Sequence, residues 1–270
     1  MRLSFRTAIL PTLILACAGS VPAQDNETWH EPFSPHRVVG NVYYVGTRGL
    51  ASFLITTPDG HVLINSGLKS SVPMIRASVE NWDHNAGSAL VKQLTGAKYL
   101  VMEQDVAVTE DGGKSDFEYG AMPSSLYEPA KVDRALHDGD EVKLGGSTLK
   151  AHLTPGHTKG CTTWTMTVQE GGRSYDIVIV GSPNVNAGYK LVNNGRYPGI
   201  AEDFARTFQT LKSLHCDIFL GAHGDYYGME GKVARMTAAA PNVFVDPDGY
   251  RAYVSERQQA FLAALERQKK

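Results

Sequence analysis

The sequence lacks an excess of basic charge. Lys and Arg number 26 against 28 Asp and Glu, which gives a formal net charge of -2. It therefore has no basic footprint for nucleic acid and no polybasic patch for a membrane surface. Fixed-period repeats, low-complexity stretches and long linkers are missing too. At 42% hydrophobic and 20% charged residues, the 270-residue chain can bury a sizeable core, as one large domain or two small ones.

A long apolar run is also missing, since the apolar stretch near the N-terminus is short. Arg2 and Arg6 precede an apolar stretch from Ala8 to Ala18, and Val21-Pro22-Ala23 follows it. This order is typical of a secretory signal. Because the stretch is too short to span a bilayer as a helix, we expect no stable membrane anchor. We expect residues 1–23 to be removed and the mature chain to be exported to a bacterial periplasm.

Cysteine is scarce, with three residues in the whole chain. Cys17 lies in the signal segment, where Leu15 makes it a poor site for lipid attachment, so a lipoprotein is the weaker interpretation. The mature chain would keep Cys161 and Cys216. One disulfide and two separate buried thiols both fit this number.

Hairpins and helices mix in both halves of the chain, without a strict strand-helix alternation. This pattern favours an α+β fold of layered sheets covered by helices and disfavours a Rossmann-type parallel sheet. The predicted helices are residues 70–80, 87–95, 199–214 and 247–270. The predicted strands and hairpins are residues 41–46, 51–57, 61–65, 98–103, 141–153, 161–181 and 216–224.

Four places put a potential ligand at a strand end or in a Gly-rich loop: Asp83-His84, His157, Ser182 and His223. Such loops bring side chains and backbone close to a metal or substrate. A catalytic zinc needs three protein ligands and an open position. Asp83, His84 and His223 would supply that set if the fold brings them together, with His157 as a nearby fourth side chain.

Structural roles are the competing interpretation. A single histidine is more often structural than a ligand, and Asp83 could instead cap the predicted helix at residues 87–95. Six histidines lack a ligand-like setting and are expected at the surface or in the core: His30, His36, His61, His137, His152 and His215.

Three quoted segments resemble the third subclass of the metallo-β-lactamases. They are "NVYYVGTRGLASFLITTPDGHVLIN" (41–65), "TPGHTKGCTTW" (154–164) and "GSPNVNAGYKLVNNGRYPGIAEDFARTFQTLKSLHCDIFLGAHG" (181–224). The likeness runs from about Trp29 to the end of the chain, with the motifs in the family's order. It implies an αββα sandwich, made of two face-to-face sheets with helices outside. It also implies zinc-dependent hydrolysis of β-lactam antibiotics, carbapenems included, in the periplasm.

The family's H-x-H-x-D-H motif is present only in its second half. Asp83 and His84 match the end of that motif, whereas the residues just before Trp82, Glu80 and Asn81 among them, include no histidine. A loop, a core strand and the His-x-His segment, roughly 15 residues in all, are expected to be missing before Trp82. The remaining matches are His157 and His223 as metal ligands, and Ser182 and Asn184 as substrate-binding residues.

The resemblance therefore implies one complete zinc site, Asp83, His84 and His223, and a second site that keeps only His157. Asp83 would also be catalytic, since it would orient the attacking hydroxide and help to pass a proton to the leaving nitrogen. We expect hydrolysis of small-molecule β-lactams to be impaired. Two alternatives stay open: a non-catalytic zinc-binding remnant, and a hydrolase of another ester, thioester or lactone.

Overall fold

Two large β-sheets form the body of the protein. The computed structural model describes residues 26–74, 90, 92–93, 96–237 and 242–270. Within these ranges the strands are β1 (His36–Val39), β2 (Val42–Tyr44), β3 (Phe53–Thr57), β4 (Gly60–Ile64), β5 (Leu100–Met102), β6 (Arg134–Leu136), β7 (Glu141–Leu144), β8 (Ser147–Leu153), β9 (Thr162–Glu170), β10 (Arg173–Val180) and β11 (Ile218–Gly221).

The first sheet has the order β1-β2-β3-β4 and is antiparallel throughout. The second has the order β11-β10-β9-β8-β7, in which β10 and β11 are parallel and the other neighbours antiparallel. β5 and β6 form a separate parallel pair. β4 and β5 therefore belong to different sheets.

The core lies between the two large sheets. One continuous cluster of buried side chains takes Val39, Phe53 and Ile55 from the first sheet, and Leu149 and Ile177 from the second. Apolar inner faces that interdigitate in this way hold two sheets together as a sandwich. The predicted α+β sandwich is thus confirmed.

Two long helices cover the second sheet near β11. In the helix Ile200–Ser213, residues at helical spacing, among them Phe204 and Phe208, are fully buried. Asp246 is the N-cap of the helix Pro247–Gln268, and its carboxylate accepts a 2.9 Å hydrogen bond from the Gly249 backbone amide. Its Phe261 ring lies 5.4 Å from that of Phe204, centroid to centroid.

These helices confirm the prediction for residues 199–214 and for the C-terminal tail. Shorter helices span Val106–Glu110 and Met229–Val233, and 3-10 turns span Glu27–Trp29, Lys69–Ser71, Glu103–Asp105, Pro123–Ser125 and Gly224–Tyr227. In the described ranges, no helix is long and apolar enough to cross a membrane.

Some of the remaining predictions can be compared with the structure, and others fall outside the described ranges. The hairpins around Gly145-Gly146 and Gly171-Gly172 are present. The single strand predicted at residues 61–65 keeps its length but is shifted by one residue, and the other single strands are two to five residues shorter than predicted. The signal segment, most of the two helices predicted before residue 96, and the strand expected to be missing before Trp82 lie outside those ranges. Cys161 and Cys216 are free and buried, so they are two separate thiols.

Candidate functional site

The candidate residues that the structure describes converge at one edge of the second sheet. His157 lies in the loop between β8 and β9, Ser182 and Asn184 follow β10, and His223 follows β11. Because β10 and β11 are parallel and β9 runs antiparallel to β10, the start of β9 and the ends of β10 and β11 share that edge. Asp83 and His84, the other two predicted ligands, lie outside the described ranges.

The imidazole of His157 is fixed by a backbone contact. Its Nδ1 lies 2.9 Å from the carbonyl oxygen of Asn184, which can only accept, so Nδ1 carries the proton and Nε2 keeps a free lone pair. Burial lowers the pKa of His157, the Asn184 carbonyl opposes this, and nearby His223 lowers the pKa further. His157 is therefore a neutral imidazole at pH 7, which is the form that binds metal.

The loop that carries His157 is closed on itself and anchored from outside. The Thr154 amide donates a 2.8 Å hydrogen bond to the Cys161 carbonyl across the base of the loop. The carboxylate of Asp105 accepts from the Thr158 hydroxyl at 2.6 Å and from the Gly160 amide at 2.7 Å. Asp105 was not predicted. It follows the predicted strand at residues 98–103 in "MEQDVA", but no metal or catalytic motif marked it.

His223 lies where the two large sheets meet. It forms an isolated antiparallel bridge with Leu50, and the Ala51 amide donates a 2.9 Å hydrogen bond to the Ala222 carbonyl. The Trp29 ring centroid is 5.9 Å from that of His223. Burial lowers the pKa of His223 against an opposing effect of Asp225, so this imidazole is neutral at pH 7 as well.

A tyrosine joins the two predicted substrate-binding residues. The Tyr226 hydroxyl lies 3.2 Å from Ser182 Oγ and accepts a 2.8 Å hydrogen bond from Asn184 Nδ2. The Ser182 amide in turn donates to Cys161 Sγ at 3.2 Å. Sequence reasoning missed Tyr226, although it stands three residues after His223 in "GAHGDYYG".

His223 also lines a cavity of about 310 Å³. Trp29, Gly49 and Met229 are among its lining residues. Arg48 lies at the same cavity, where its guanidinium forms 2.9 Å ion pairs with Glu31 and Glu230. The site thus continues into a recess of the size that small molecules occupy.

The chemistry of the described donors fits zinc. Zinc takes neutral imidazole nitrogen as a ligand, and its histidine ligands commonly donate their other ring N–H to a carbonyl or carboxylate, as His157 does to Asn184. A second group of metal-binding residue types, Asp176, His215 and Asp217, offers ligand atoms within 4.8 Å of one another. That group lies before the start of β11, whereas His223 follows the end of the same strand.

Comparison with solved structures gives strong matches along most of the chain. The native FEZ-1 metallo-β-lactamase from Legionella gormanii is 47% identical, with a TM-score of 0.86 over 89% of this chain and 98% of that chain. BJP-1, a subclass B3 metallo-β-lactamase of Bradyrhizobium japonicum, is 34% identical over 90% of this chain and 97% of that one, with a TM-score of 0.83. The class B3 di-zinc metallo-β-lactamase LRA-12 from an Alaskan soil metagenome is 33% identical over 90% of this chain and 98% of that one, with a TM-score of 0.83.

Curated proteins match over shorter stretches, and no family model matches. A probable metallo-hydrolase of Burkholderia pseudomallei is 31% identical over 85 residues, which are 32% of this chain and 28% of that protein. A hydroxyacylglutathione hydrolase of Maricaulis maris is 27% identical over 108 residues, 39% of this chain and 34% of that protein. The matched stretches thus span about a third of these curated relatives.

Proposed function

Because the chain belongs to the subclass B3 metallo-β-lactamases and is a metal-dependent hydrolase of that superfamily, we propose that it hydrolyses the amide bond of β-lactam antibiotics with zinc. The observation that carries this proposal is the placement of two neutral imidazoles, His157 and His223, at one sheet edge. The tautomer of His157 is already fixed for a ligand nitrogen at Nε2.

In this proposal Asp83, His84 and His223 hold one zinc ion. Zinc held by these residues would act as a Lewis acid and would lower the pKa of a bound water molecule toward neutrality. Asp83 orients the attacking water and passes a proton to the leaving nitrogen. His157 is the single family ligand left for a second ion, because the residues just before Trp82, Glu80 and Asn81 among them, include no histidine. Second-ion binding is therefore weak, and turnover is impaired.

The substrate would lie between the sheet edge and the cavity beside His223. The Ser182 hydroxyl and the Asn184 segment line the side of the site formed by β10, where they receive the anionic group that β-lactam antibiotics carry. The recess lined by Trp29 and Met229 receives apolar parts of the molecule. Its walls are mixed in polarity, as in most small-molecule sites.

The test is hydrolysis by protein purified from the periplasm of a host that expresses the full chain. Benzylpenicillin and a carbapenem are assayed with added zinc and then with a chelator, and zinc per chain is measured by mass spectrometry. We expect slow turnover that the chelator abolishes, and about one zinc per chain. Folded, zinc-loaded protein without turnover would identify a non-catalytic remnant and refute the proposal.

Two histidine variants separate ligation from general damage. His223→Ala is expected to lose bound zinc and to lower turnover by about 100-fold or more, since even a partner of a metal ligand commonly matters 10- to 100-fold. His61→Ala is the matched control, because His61 is an exposed residue of β4 away from the site. Equal zinc loss in both variants would argue against His223 as a ligand.

A thioesterase is the second candidate, and the match to a hydroxyacylglutathione hydrolase favours it. A thioester carbonyl is open to the same metal-assisted hydrolysis as a lactam carbonyl. The same preparation is therefore assayed with a hydroxyacyl glutathione thioester. A kcat/KM for the thioester that exceeds those for both β-lactams would replace the first proposal with the second.

Export to the periplasm is part of the proposal. The order of Arg2, Arg6, the apolar run and Ala23 supports cleavage after residue 23. N-terminal sequencing of protein from the periplasmic fraction should begin at Gln24. Recovery of protein that begins at Met1 and stays in the cytoplasm would contradict this.

A further inference from the structure

Tyr226 packs against two other rings, and its hydroxyl contacts residues of the candidate site. Its ring centroid lies 5.0 Å from that of His223, and it stacks on the Tyr253 ring at 5.0 Å and 30°. Gly221 makes room for the ring, since a Cβ there would lie 2.8 Å from Tyr226 Cδ2. A phenol fixed in this way loses little further conformational freedom when its hydroxyl forms hydrogen bonds.

The hydrogen bonds of the Tyr226 hydroxyl have a direction. Asn184 Nδ2 can only donate, so at 2.8 Å the Tyr226 oxygen accepts from it. The 3.2 Å contact with Ser182 Oγ can be made with either hydroxyl as the donor, and we take the phenol to donate in it. Ser182 Oγ also accepts from the Asn184 amide at 3.4 Å. With both lone pairs engaged, the Ser182 hydroxyl is left with its own proton to donate.

We propose that Tyr226 is a positioning residue that aims the Ser182 hydroxyl proton at the anionic group of the substrate. This inference rests on the proposed function, because it assigns a role within the same site. Nothing in it requires Tyr226 to touch the substrate: the phenol sets the direction in which Ser182 donates. Loss of the phenolic oxygen frees the Ser182 hydroxyl to rotate, and substrate binding weakens.

The direct test is Tyr226→Phe, which removes one oxygen and keeps the ring that contacts His223 and Tyr253. We expect KM for benzylpenicillin to rise about three- to tenfold, as the loss of a well-aligned hydrogen bond predicts. We expect kcat to stay within about twofold, because Ser182 donates to substrate and transition state alike. Zinc content should not change.

Tyr227→Phe is the matched control. It removes the same atom from the next residue, and the buried Tyr227 hydroxyl has no hydrogen-bond partner within the described part of the chain. We expect KM and kcat of this variant to equal those of the unmodified protein. A similar rise in KM for both variants would show a general effect of losing a buried hydroxyl and would overturn the proposal.

A double-mutant cycle with Ser182→Ala tests whether Tyr226 acts through Ser182. If it does, Tyr226→Phe raises KM in the unmodified protein and has no effect in the Ser182→Ala background. Additive effects would mean that Tyr226 acts on its own and would overturn the proposal. A fall in kcat with constant KM would overturn it too, because this would be a transition-state effect of another kind.

Failure of the proposed function is distinguished by measuring ligand binding as well as turnover. The dissociation constant for benzylpenicillin is determined by calorimetry for the four proteins of the cycle. Binding that shows the coupling without turnover would refute β-lactam hydrolysis and support the role of Tyr226. Turnover without coupling would support β-lactam hydrolysis and refute the role of Tyr226. Protein that neither binds nor hydrolyses benzylpenicillin would refute both.

Discussion

The hydroxyl of Thr158 donates a 2.6 Å hydrogen bond to the carboxylate of Asp105, a residue far away in the sequence. The Gly160 amide donates to the other oxygen of the same carboxylate at 2.7 Å. Asp105 therefore contacts the loop on the C-terminal side of His157 at two points. Asp105 thus holds the loop that carries the candidate ligand His157.

Asp105→Ala should loosen this loop. Two hydrogen bonds to a buried charge are lost and their donors stay buried, so we expect the free energy of unfolding to fall by about 1–3 kcal/mol. Zinc should also bind more weakly. Urea unfolding and zinc titration measure both effects, and Asp138→Ala is the control, since Asp138 accepts one bond from the Leu153 amide at an exposed position. Unchanged zinc affinity in Asp105→Ala would contradict this role.

Asp105 should also give the stability a pH dependence of known sign. Burial raises its pKa above the ordinary value of 3.8, although the bonds from Thr158 and Gly160 oppose the shift. The folded state thus holds the proton more tightly, and this stabilisation is present below pH 3.8 and is lost as the pH rises through the raised pKa. Asp105→Asn cannot ionise, so its stability relative to the unmodified protein should increase with pH. A difference that is constant with pH would be contrary evidence.

Gly156 beside His157 should not tolerate a side chain. Its φ is +125°, and a Cβ would lie 2.7 Å from the Phe204 ring. Gly156→Ala is therefore expected to lower the free energy of unfolding by about 1–3 kcal/mol from crowding alone, with backbone strain in addition. The control Gly60→Ala has nearly the same φ, +127°, and its Cβ would meet only an ordinary contact with Leu144 at 3.7 Å, so it should show the strain alone. Calorimetric melting compares the two variants, and equal losses would rule out the crowding.

The ion pair of Lys232 and Asp246 should stabilise the start of the C-terminal helix. Their charged atoms are 2.8 Å apart, and the Lys232 side chain is 6% exposed. Lys232→Met is expected to lower the free energy of unfolding by about 1–3 kcal/mol at pH 7, because it leaves a partly buried carboxylate without its partner. Lys143→Met, which breaks an exposed pair with Glu141, should have almost no effect.

The difference in free energy of unfolding between the unmodified protein and Lys232→Met should become smaller in acid. Burial raises the pKa of Asp246, but the Lys232 ammonium and the Gly249 amide outweigh it, and the pKa lies below its ordinary value of 3.8. The stabilisation is then fully present above pH 3.8 and is lost as the pH falls through the lowered pKa. Urea unfolding of both proteins from pH 7 to pH 3 tests this. A difference that persists undiminished at the acid limit would show that the charge of Asp246 is not involved.

Both cysteines of the mature chain should be unreactive in the folded protein. Burial raises the pKa of each thiol to about 12, so thiolate is scarce at pH 8. A thiol reagent should titrate no group in native protein and two groups after unfolding. No reaction in denaturant would show that Cys161 and Cys216 are paired, and fast reaction in native protein would show that at least one is exposed.

The sequence predicted the parts of the fold that local pattern controls. The helix Ile200–Ser213 and the glycine hairpins follow from apolar spacing and from turn residues, which act over a few residues. His157 and His223 were selected as candidate ligands from their glycine-rich settings, and the structure places both at one edge of the second sheet. Tyr226 and Asp105 were not, because each acts through contacts with residues far away in sequence, such as Ser182 and Thr158.

The antiparallel bridge between Leu50 and His223 joins segments that are far apart in the sequence. Closing so long a loop costs chain entropy, so we expect this bridge to form late in folding, after most contacts within each sheet. His223 then reaches its place beside His157 only in the fully assembled sandwich. Zinc uptake during refolding should therefore occur in the slowest kinetic phase. The rate of zinc binding would then report the rate at which the two large sheets dock.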